Sequence, residues 1–196
     1  MLHVTNGSGK MLGIQSINTS TLENPFCSKM RVIDSVCRKC YAATYEKMRP
    51  SLENALLRNH GALSSGILPL SELPFVNAQF LRVNSFGELV NQYHFKNILN
   101  LTMKNSHCQV VLWTKRKDLI NRVLSVRDKP KNLTLIYSSP VINKAAKLPR
   151  HFNKVFTVYD KSHKNASHIN CGGKSCNDCQ LCYTVNDTVF VNEIVK

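Results

Sequence analysis

Long apolar runs are absent from this sequence of 196 residues. A helix needs roughly 20 consecutive apolar residues to cross a bilayer, and no stretch comes near that length. The first ten residues also lack the charged and then apolar layout of a signal peptide. We therefore expect a cytoplasmic protein with no membrane partner, in a compartment that keeps cysteine thiols reduced.

Acidic residues are scarce. The chain has 12 Asp and Glu against 26 Lys and Arg, which gives a formal net charge of +14. A field of that sign attracts polyanions, although it fixes neither their sequence nor their binding site. Nucleic acid is therefore one expected partner, and the alternative is a basic surface that only keeps the protein soluble. Small basic concentrations occur at residues 115–117 and 127–131.

The sequence also lacks several common catalytic motifs. It has no Ser-His-Asp order, no glycine-rich phosphate loop and no paired carboxylates. The main chemical signal is a set of eight cysteines, seven of which form two groups. The first group is Cys27, Cys37 and Cys40, and the second is Cys171, Cys176, Cys179 and Cys182. Cys108 stands apart at the start of a predicted strand, where we expect a buried apolar thiol.

Closely spaced thiols in a reducing compartment predict a metal site rather than disulfides. The second group has the spacing C-x4-C-x2-C-x2-C, which resembles the cysteine runs of bacterial ferredoxins. Gly172 and Gly173 let the backbone fold closely around an inorganic cluster. Zinc is the alternative because it accepts four thiolates, but zinc sites more often combine two C-x-x-C turns from separate segments. The run therefore favours a [4Fe-4S] cluster over zinc.

The first group supplies only three thiolates, in the spacing C-x9-C-x2-C. Three ligands leave one iron of a [4Fe-4S] cluster open for a substrate, a cofactor or a fourth protein ligand. The candidates for that fourth ligand are Cys108, His163 and His168. Together the two groups predict an iron–sulfur protein with two [4Fe-4S] clusters.

Strand-forming and helix-forming segments alternate along the chain. Strands are predicted at residues 11–20, 78–83, 108–114, 133–137 and 152–159, with helices after residue 41, at 51–59, at 89–99 and before residue 126. Residues 27–40 are predicted to form one long loop, and residues 188–195 a last short strand or a packing tail. The pattern predicts an α/β fold, a small open or partial (β/α) barrel of about five parallel strands with a Cys-rich C-terminal segment. We expect one domain over residues 1–196, with an α/β core at 1–160 and a cluster-binding segment at 161–196.

In folds of this class, functional groups collect in the loops after the carboxyl ends of the strands. The candidate cofactor-binding residues are Asn84, Ser85, Gly87 and Glu88 after the second predicted strand, and Lys115 and Arg116 after the third. Structural roles are the alternative for each. Asn84 and Ser85 suit a turn or a cap, and Glu88 suits a helix N-terminus. Lys115 and Arg116 suit either a solvated helix start or an anion site on the functional face, and the anion site is favoured.

Several motifs resemble those of one phage family. They are Lys-Met-Leu-Gly-Ile at residues 10–14, Cys-Arg-Lys-Cys-Tyr-Ala at 37–42, Asn-Ser-Phe-Gly-Glu-Leu at 84–89, Leu-Trp-Thr-Lys-Arg at 112–116, Leu-Ile-Tyr-Ser-Ser-Pro at 135–140, Lys-Val-Phe-Thr-Val-Tyr at 154–159 and the final cysteine run. On these motifs, which span nearly the whole chain, the sequence resembles the phage gene product eighty-eight family. The resemblance implies a phage-encoded protein in the host cell cytoplasm.

More distantly, the Cys-x-x-Cys-Tyr-Ala loop and the Thr-Lys-Arg strand end are similar to phage proteins that look like radical S-adenosylmethionine (SAM) enzymes. In that superfamily a partial barrel holds a three-cysteine [4Fe-4S] cluster after strand one, and a Gly-Glu motif after strand two contacts the SAM amino group. The resemblance implies that Cys27, Cys37 and Cys40 hold such a cluster and that Gly87 and Glu88 face SAM. The first cysteine spacing is nine residues here and usually three in the superfamily.

Two functional hypotheses follow from these observations. The first is a radical-SAM-like or redox enzyme in which SAM binds the open iron and the C-terminal cluster passes electrons or holds substrate. The second is a non-catalytic iron–sulfur or zinc protein that binds nucleic acid or a host protein through its basic surface.

Overall fold

One sheet organises the structure, a computed structural model that describes residues 2–195. Within those residues the sheet has seven strands: β1 (Thr5–Asn6), β2 (Gln15–Ile17), β3 (Phe80–Val83), β4 (Gln109–Thr114), β5 (Leu133–Ser138), β6 (Lys154–Tyr159) and β7 (Phe190–Ile194). Neighbours in the sheet follow the order of the chain, and the sheet does not close. β1 pairs antiparallel with β2, whereas every pair from β2 to β7 is parallel.

Parallel neighbours need a crossover between them, and helices supply most of these connections. In the described part of the chain the α-helices are α1 (Pro25–Val32), α2 (Tyr41–Met48), α3 (Pro50–Ser65), α4 (Gln92–Lys104), α5 (Lys117–Leu124) and α6 (Cys176–Cys179). Short 3₁₀ segments occur at Gly9–Met11, Leu70–Glu72 and Lys164–His168. No helix within residues 2–195 is long and apolar enough to span a bilayer.

Helices α3, α4 and α5 cover one face of the sheet. Alternate residues of each strand point to that face, among them Leu81 of β3 and Leu112 of β4. They pack in one buried cluster with Leu63 of α3, Phe95 of α4 and Ile120 of α5. This cluster is the larger of the two cores and accounts for the layered α/β architecture.

The C-terminal cysteine run covers the opposite face of the sheet, which we call the inner face. The strand residues that point to it are Phe80, Val111, Trp113, Ile136 and Phe156. Tyr183 packs among them and is only 1% exposed, and Cys176 and Cys182 join the same cluster. The strands are therefore covered on both sides, as their near-continuous apolar character predicts.

The α/β class, the parallel pairing and the positions of β3 to β6 are confirmed, with strand ends within two residues of those predicted. The number of strands is seven rather than about five, because β1 was not predicted and residues 188–195 contain β7. The first predicted strand, 11–20, is shortened to Gln15–Ile17. A 3₁₀ segment precedes it, and Gly13 turns the chain with a φ of 84°.

The prediction that residues 27–40 form one long loop is wrong at its start, because α1 runs through Cys27. Asn24 caps this helix, with Oδ1 accepting hydrogen bonds from the N–H groups of Phe26 at 3.0 Å and Cys27 at 3.3 Å. Pro25 takes the first helical position, where its fixed φ is favourable. Pro50 starts α3 in the same way. Each of these prolines therefore begins a helix rather than ending one.

Candidate functional site

The first cysteine group lies on α1 and on the turn that leads into α2. Cys27 is in the first turn of α1, where the Asn24 cap holds it. Cys37 and Cys40 stand on the turn before α2, and Cys40 is the N-cap residue of that helix. The backbone N–H of Cys37 donates to Ser35 Oγ at 3.1 Å. We call Cys27, Cys37 and Cys40 the amino-terminal cysteine site.

Glu88 lies beside this site, and its buried carboxylate joins the ends of two strands. Oε1 accepts from the backbone N–H of Leu89 at 2.8 Å and from the Thr114 hydroxyl, and Oε2 accepts from the backbone N–H of Lys115 at 2.7 Å. The Asn24 side chain also donates to the Glu88 carbonyl at 2.8 Å. Glu88 therefore connects β3, β4 and α1 and has little acceptor capacity left. The N-cap of the following helix, α4, is Asn91 rather than Glu88.

Lys115 is the cation of the amino-terminal cysteine site. Its Nζ donates to Ser138 Oγ at 3.3 Å, at the end of β5. Burial alone lowers the pKa of this ammonium, but the nearby Cys37, Glu88 and Cys27 raise it more, so its pKa lies above the ordinary value. Lys115 is therefore charged at neutral pH and stands next to the thiols.

Burial raises the pKa of both Cys27 and Cys37 above the ordinary value for a thiol. The negative charge of Glu88 adds to this shift, while the charge of Lys115 opposes it. Without a metal, these two thiols are therefore protonated at neutral pH. A bound metal displaces such protons, and the ammonium beside them favours the thiolate form.

Residues 84–87 form a turn that packs on the end of β2. Asn84 has a left-handed φ of 61°, and its backbone N–H donates to the carbonyl of Ile17 at 3.1 Å. The next two N–H groups, of Ser85 and Phe86, donate to Asn18 Oδ1 at 2.9 Å and 3.1 Å. The side-chain amide of Asn84 is buried and has no hydrogen-bond partner within residues 2–195. Asn84 is thus the residue of this turn that keeps an unused donor and an unused acceptor.

Gly87 is required by the close approach of two chain segments. Its φ is 82°, and a Cβ at this position would overlap both the side chain and the carbonyl of Thr19. The turn also touches α2, because the Tyr41 hydroxyl donates to the Ser85 carbonyl at 3.4 Å and the Tyr41 ring packs edge-on against Phe86. Since Tyr41 directly follows Cys40, the turn borders the amino-terminal cysteine site.

Arg116 is bound within the protein. Its Nε and Nη2 donate to the Asp118 carboxylate at 2.9 Å and 2.8 Å, and its Nη1 donates to the carbonyls of Leu89 and Val90. The hydrogen bond from Arg116 lowers the pKa of Asp118. The guanidinium also lies 5.1 Å from the ring centroid of Phe26. Of the two basic residues predicted here, Lys115 is therefore the one directed at the cysteines.

The second cysteine group lines one shallow concavity on the inner face. Two of its members are the first and last residues of α6, which Ser175 caps by accepting from the N–H of Asp178 at 3.2 Å. Left-handed residues turn the chain on both sides, at Gly173 with a φ of 75° and Gln180 with a φ of 51°. We call this group the carboxy-terminal cysteine site; its members are Cys171, Cys176, Cys179 and Cys182.

Lys10 is the cation that contacts the carboxy-terminal cysteine site. Its Nζ donates to Cys171 Sγ at 3.1 Å and forms an ion pair with Glu193 at 2.9 Å. Burial alone lowers the pKa of Lys10, but the hydrogen bonds to Glu193 and Cys171 outweigh it and raise that pKa. A hydrogen bond from a charged donor to a ligand sulfur is a common means of tuning a metal site.

Tyr183 anchors the cysteine run to the sheet. Its ring centroid lies 5.3 Å from that of Phe80 and 5.7 Å from that of Trp113. On the same face, the Arg82 guanidinium lies 4.1 Å from the Trp113 ring centroid. Burial raises the pKa of Cys182 to about 12, and the Arg82 charge opposes that shift. The inner face thus brings a second cation, in addition to Lys10, close to these thiols.

Strands β3 and β4 connect the two cysteine sites. Arg82 belongs to the carboxy-terminal site, and Ser85, three residues later, borders the amino-terminal one. Met11 Sδ lies between them and accepts from both Arg82 Nη1 at 3.4 Å and Ser85 Oγ at 3.6 Å. On β4, Trp113 lines the carboxy-terminal site and Lys115 the amino-terminal one. Trp113 and Lys115 are two residues apart, or about 7 Å at the rise of a strand.

The structure groups the seven predicted cysteines but does not preform a metal-binding arrangement. Among residues 2–195, no three His, Cys, Asp or Glu side chains are placed to hold one metal ion. All eight cysteines are free thiols. Cys108 is confirmed as a core thiol, because it is fully buried in the larger core, between the sheet and helices α3 to α5. Burial raises its pKa to about 11.

The sequence did not predict that Lys10, Arg82 and Tyr183 belong to the carboxy-terminal cysteine site. Arg82 carries a usable signal, because a charged residue within the apolar run 80–83 must face something polar or aromatic on its side of the sheet. Tyr183 directly follows the last cysteine but has no periodic pattern around it. Lys10 lies 161 residues from its partner Cys171, and no local pattern predicts that contact.

Comparison with known proteins gives one match. A family model described as Gene product 88 matches residues 9–189, a range that contains both cysteine sites and the parallel strands β2 to β6. No curated protein and no solved structure matches the chain. The more distant similarity to radical SAM enzymes therefore stays a prediction. Because the family match covers most of the chain, it confirms the phage-family resemblance of the motifs: this chain belongs to the Gene product 88 family.

Proposed function

We propose that this protein is an iron–sulfur protein that holds one [4Fe-4S] cluster at each cysteine site and acts in redox or radical-SAM-like chemistry. The observation that carries the proposal is the pairing of each group of thiols with an ammonium. Lys115 stands beside the amino-terminal site, and Lys10 donates directly to Cys171 in the carboxy-terminal one. Thiolate is the form that binds metal, and an adjacent cation favours it.

The amino-terminal cysteine site suits a cluster with one open iron, because it offers three thiolates. A bound cluster of that kind would supply one-electron chemistry to a cofactor such as SAM. In this chain Glu88 holds the strand ends and aligns Lys115, since its carboxylate already accepts three hydrogen bonds. Asn84 keeps an unpaired buried amide at the end of β3, which makes it the better candidate for binding a polar cofactor.

Cluster binding would have to draw the sulfurs closer together than they stand in this structure. Such coupling is common, since a preformed site rarely exists before the metal binds. The carboxy-terminal run has the freedom to adjust, because a Cβ at Gly172 or Gly173 would meet nothing within 4 Å. Tyr183 limits that freedom at one end by fixing the run to the inner face.

Metal analysis after anaerobic purification tests the proposal. We expect about eight irons and eight sulfides per chain, with a brown colour, as two cubane clusters require. Cys37→Ser and Cys179→Ser should each remove about half of the iron. Cys108→Ala is the matched control, because that thiol lies in the core, and it should leave the iron content unchanged. One or two zincs per chain without colour would instead indicate a protein stabilised by zinc and would overturn the redox proposal.

The radical-SAM-like form of the proposal has its own test. Reconstituted and reduced protein should cleave SAM, and Cys37→Ala should abolish the cleavage. If the protein holds two clusters but does not cleave SAM under reducing conditions, the amino-terminal cluster serves electron transfer alone.

A further inference from the structure

A groove with basic walls lies beside the amino-terminal cysteine site, between the turn before α2 and the exposed side of that helix. It is an open groove of about 550 Å³. We call it the basic groove; its lining residues are Arg31, Arg38, Lys39, Cys40, Lys47 and Met48, together with two small residues of α2. Cys40 is the residue that the groove shares with the cysteine site.

The positive charge of the groove is not neutralised by the protein. Residues 25–49 carry the acidic residues Asp34 and Glu46, but the Glu46 carboxylate is buried and accepts hydrogen bonds from Ser20 and Thr21. The same segment carries six basic residues: Lys29, Arg31, Arg38, Lys39, Lys47 and Arg49. Within residues 2–195 the ion pairs are Lys10–Glu193 and Arg116–Asp118, and neither lies in the groove. A concave surface of one sign concentrates anions.

One of the groove cations is fixed in place, and three extend into solvent. Arg31 donates to the Thr21 carbonyl at 2.9 Å and to Ser28 Oγ at 3.0 Å, so its guanidinium is held at the wall. Arg38, Lys39 and Lys47 are exposed and make no ion pair in the described part of the chain. They are thus free to contact the phosphates of a bound chain.

Two exposed aromatic rings of α2 stand at the edge of the groove: neither lines it, but each lies three residues before a lining residue, Thr44 or Met48. Tyr41 is 60% exposed and Tyr45 is 43% exposed, and their ring centroids are 6.4 Å apart. The Arg49 guanidinium, at the C-cap of α2, lies 4.7 Å from the Tyr45 ring centroid, so two rings and one cation follow each other at a spacing of four residues. Basic side chains that follow a phosphate backbone, next to rings on which bases stack, are the usual means of holding single-stranded nucleic acid.

We propose that the basic groove binds single-stranded nucleic acid, with Arg38, Lys39 and Lys47 on the phosphates and Tyr41 and Tyr45 under the bases. A duplex fits less well, because its bases are already stacked and the rings would have no partner. The bound strand would pass directly over Cys40. This inference does not rest on the proposed cluster function, since none of the contacts uses a sulfur atom.

Fluorescence anisotropy with a labelled oligothymidylate of about 20 nucleotides tests the proposal, with the whole chain and with salt varied between about 50 and 200 mM. We expect the single strand to bind more tightly than a duplex of the same length. The triple variant Arg38→Ala, Lys39→Ala, Lys47→Ala should reduce the slope of log K against log salt by about 2, because each lost phosphate contact removes about 0.7. Tyr45→Ala should weaken binding roughly 5- to 100-fold with little change in the slope.

The matched control removes the same charges outside the groove. Arg122, Lys131 and Lys147 are exposed, and none of them lines the groove. Their triple alanine variant should keep most of the affinity and of the salt slope. Equal losses in the two triple variants would overturn the proposal, and so would equal affinity for single strand and duplex. Competition by oligoglutamate as effective as that by unlabelled oligonucleotide would point instead to an acidic protein partner.

Discussion

Glu88→Gln tests whether the Glu88 carboxylate holds the ends of β3 and β4 together. The substitution keeps the shape of the side chain but removes its charge and replaces one oxygen with an NH₂ group. The carboxylate accepts from the N–H groups of Leu89 and Lys115 and from the Thr114 hydroxyl. The single oxygen of glutamine cannot accept from both Leu89 and Lys115, which lie at different carboxylate oxygens. At least one of these backbone N–H groups would therefore face the new NH₂ group, which is also a donor. A hydrogen bond to a charged group contributes about 1.5–3 kcal/mol, and an unpaired buried donor costs about 1–3 kcal/mol.

We expect this variant to lose about 3 kcal/mol of its free energy of unfolding. For a chain of this length that loss lowers Tm by about 6–12 °C. Urea unfolding followed by circular dichroism measures the change. Glu23→Gln is the matched control, because Glu23 is exposed, and its stability should stay within about 0.5 kcal/mol of the wild type. If Glu88→Gln were as stable as this control, the carboxylate would not be holding the strand ends, and a role in cofactor contact would explain it better.

Three further predictions address the turn, the inner face and the helical layer. Gly87→Ala should destabilise the protein by more than about 1 kcal/mol, because a Cβ would overlap Thr19 at a positive φ, whereas Gly61→Ala, which meets nothing within 4 Å in α3, should stabilise it by about 0.5–1 kcal/mol. Tyr183→Ala should lower the free energy of unfolding by about 3–5 kcal/mol and make residues 171–182 the first site of limited proteolysis. An unchanged cleavage pattern would contradict the conclusion that Tyr183 fixes the cysteine run to the sheet. Burial lowers the pKa of His94 to about 3, so the folded protein keeps His94 neutral while the unfolded chain takes up a proton below about pH 6.5. The free energy of unfolding should therefore be about 2 kcal/mol lower at about pH 5 than at neutral pH. In urea titrations, His94→Gln should lack this decrease. An equal pH dependence of unfolding in both proteins would refute the assignment to His94.

The central strands could be predicted because their apolar runs carry a strong local signal. Residues 109–114 and 133–138 are almost entirely buried, and both were placed to within one residue. β1 could not be predicted in this way, because a strand of two residues has no periodicity and depends on its antiparallel partner β2. α1 was missed for a different reason. Proline is both a helix breaker and a favourable first residue, and the decisive fact is the pair of hydrogen bonds to Asn24.

The general rule for parallel sheets predicted part of the site. It placed Glu88 and Lys115 at one edge of the sheet, and the structure has them in contact through a backbone N–H. The rule could not predict which groups the carboxylate accepts from, because that depends on side-chain directions at two strand ends 26 residues apart. The basic cluster at residues 115–117 was predicted as a site of positive charge, but Arg116 is paired with Asp118. The unpaired charge instead lies on the turn and helix around Cys40, where the sequence shows no continuous basic run.

The arrangement of the two cysteine sites bears on the choice between redox and structural metals. A zinc site that only stabilises a fold does not need a second metal site close to it. Electron exchange between two centres, by contrast, depends on their being close. Here Arg82 of β3 lies at one site and Ser85, in the turn after β3, borders the other, with Met11 in contact with both residues. Trp113 of β4 lines the carboxy-terminal cysteine site, and Lys115, directly after β4, lies at the amino-terminal one. The two residues are about 7 Å apart along the chain. Two clusters bound at these sites would be neighbours across the ends of two strands, a placement that a redox function uses and a purely structural one does not require.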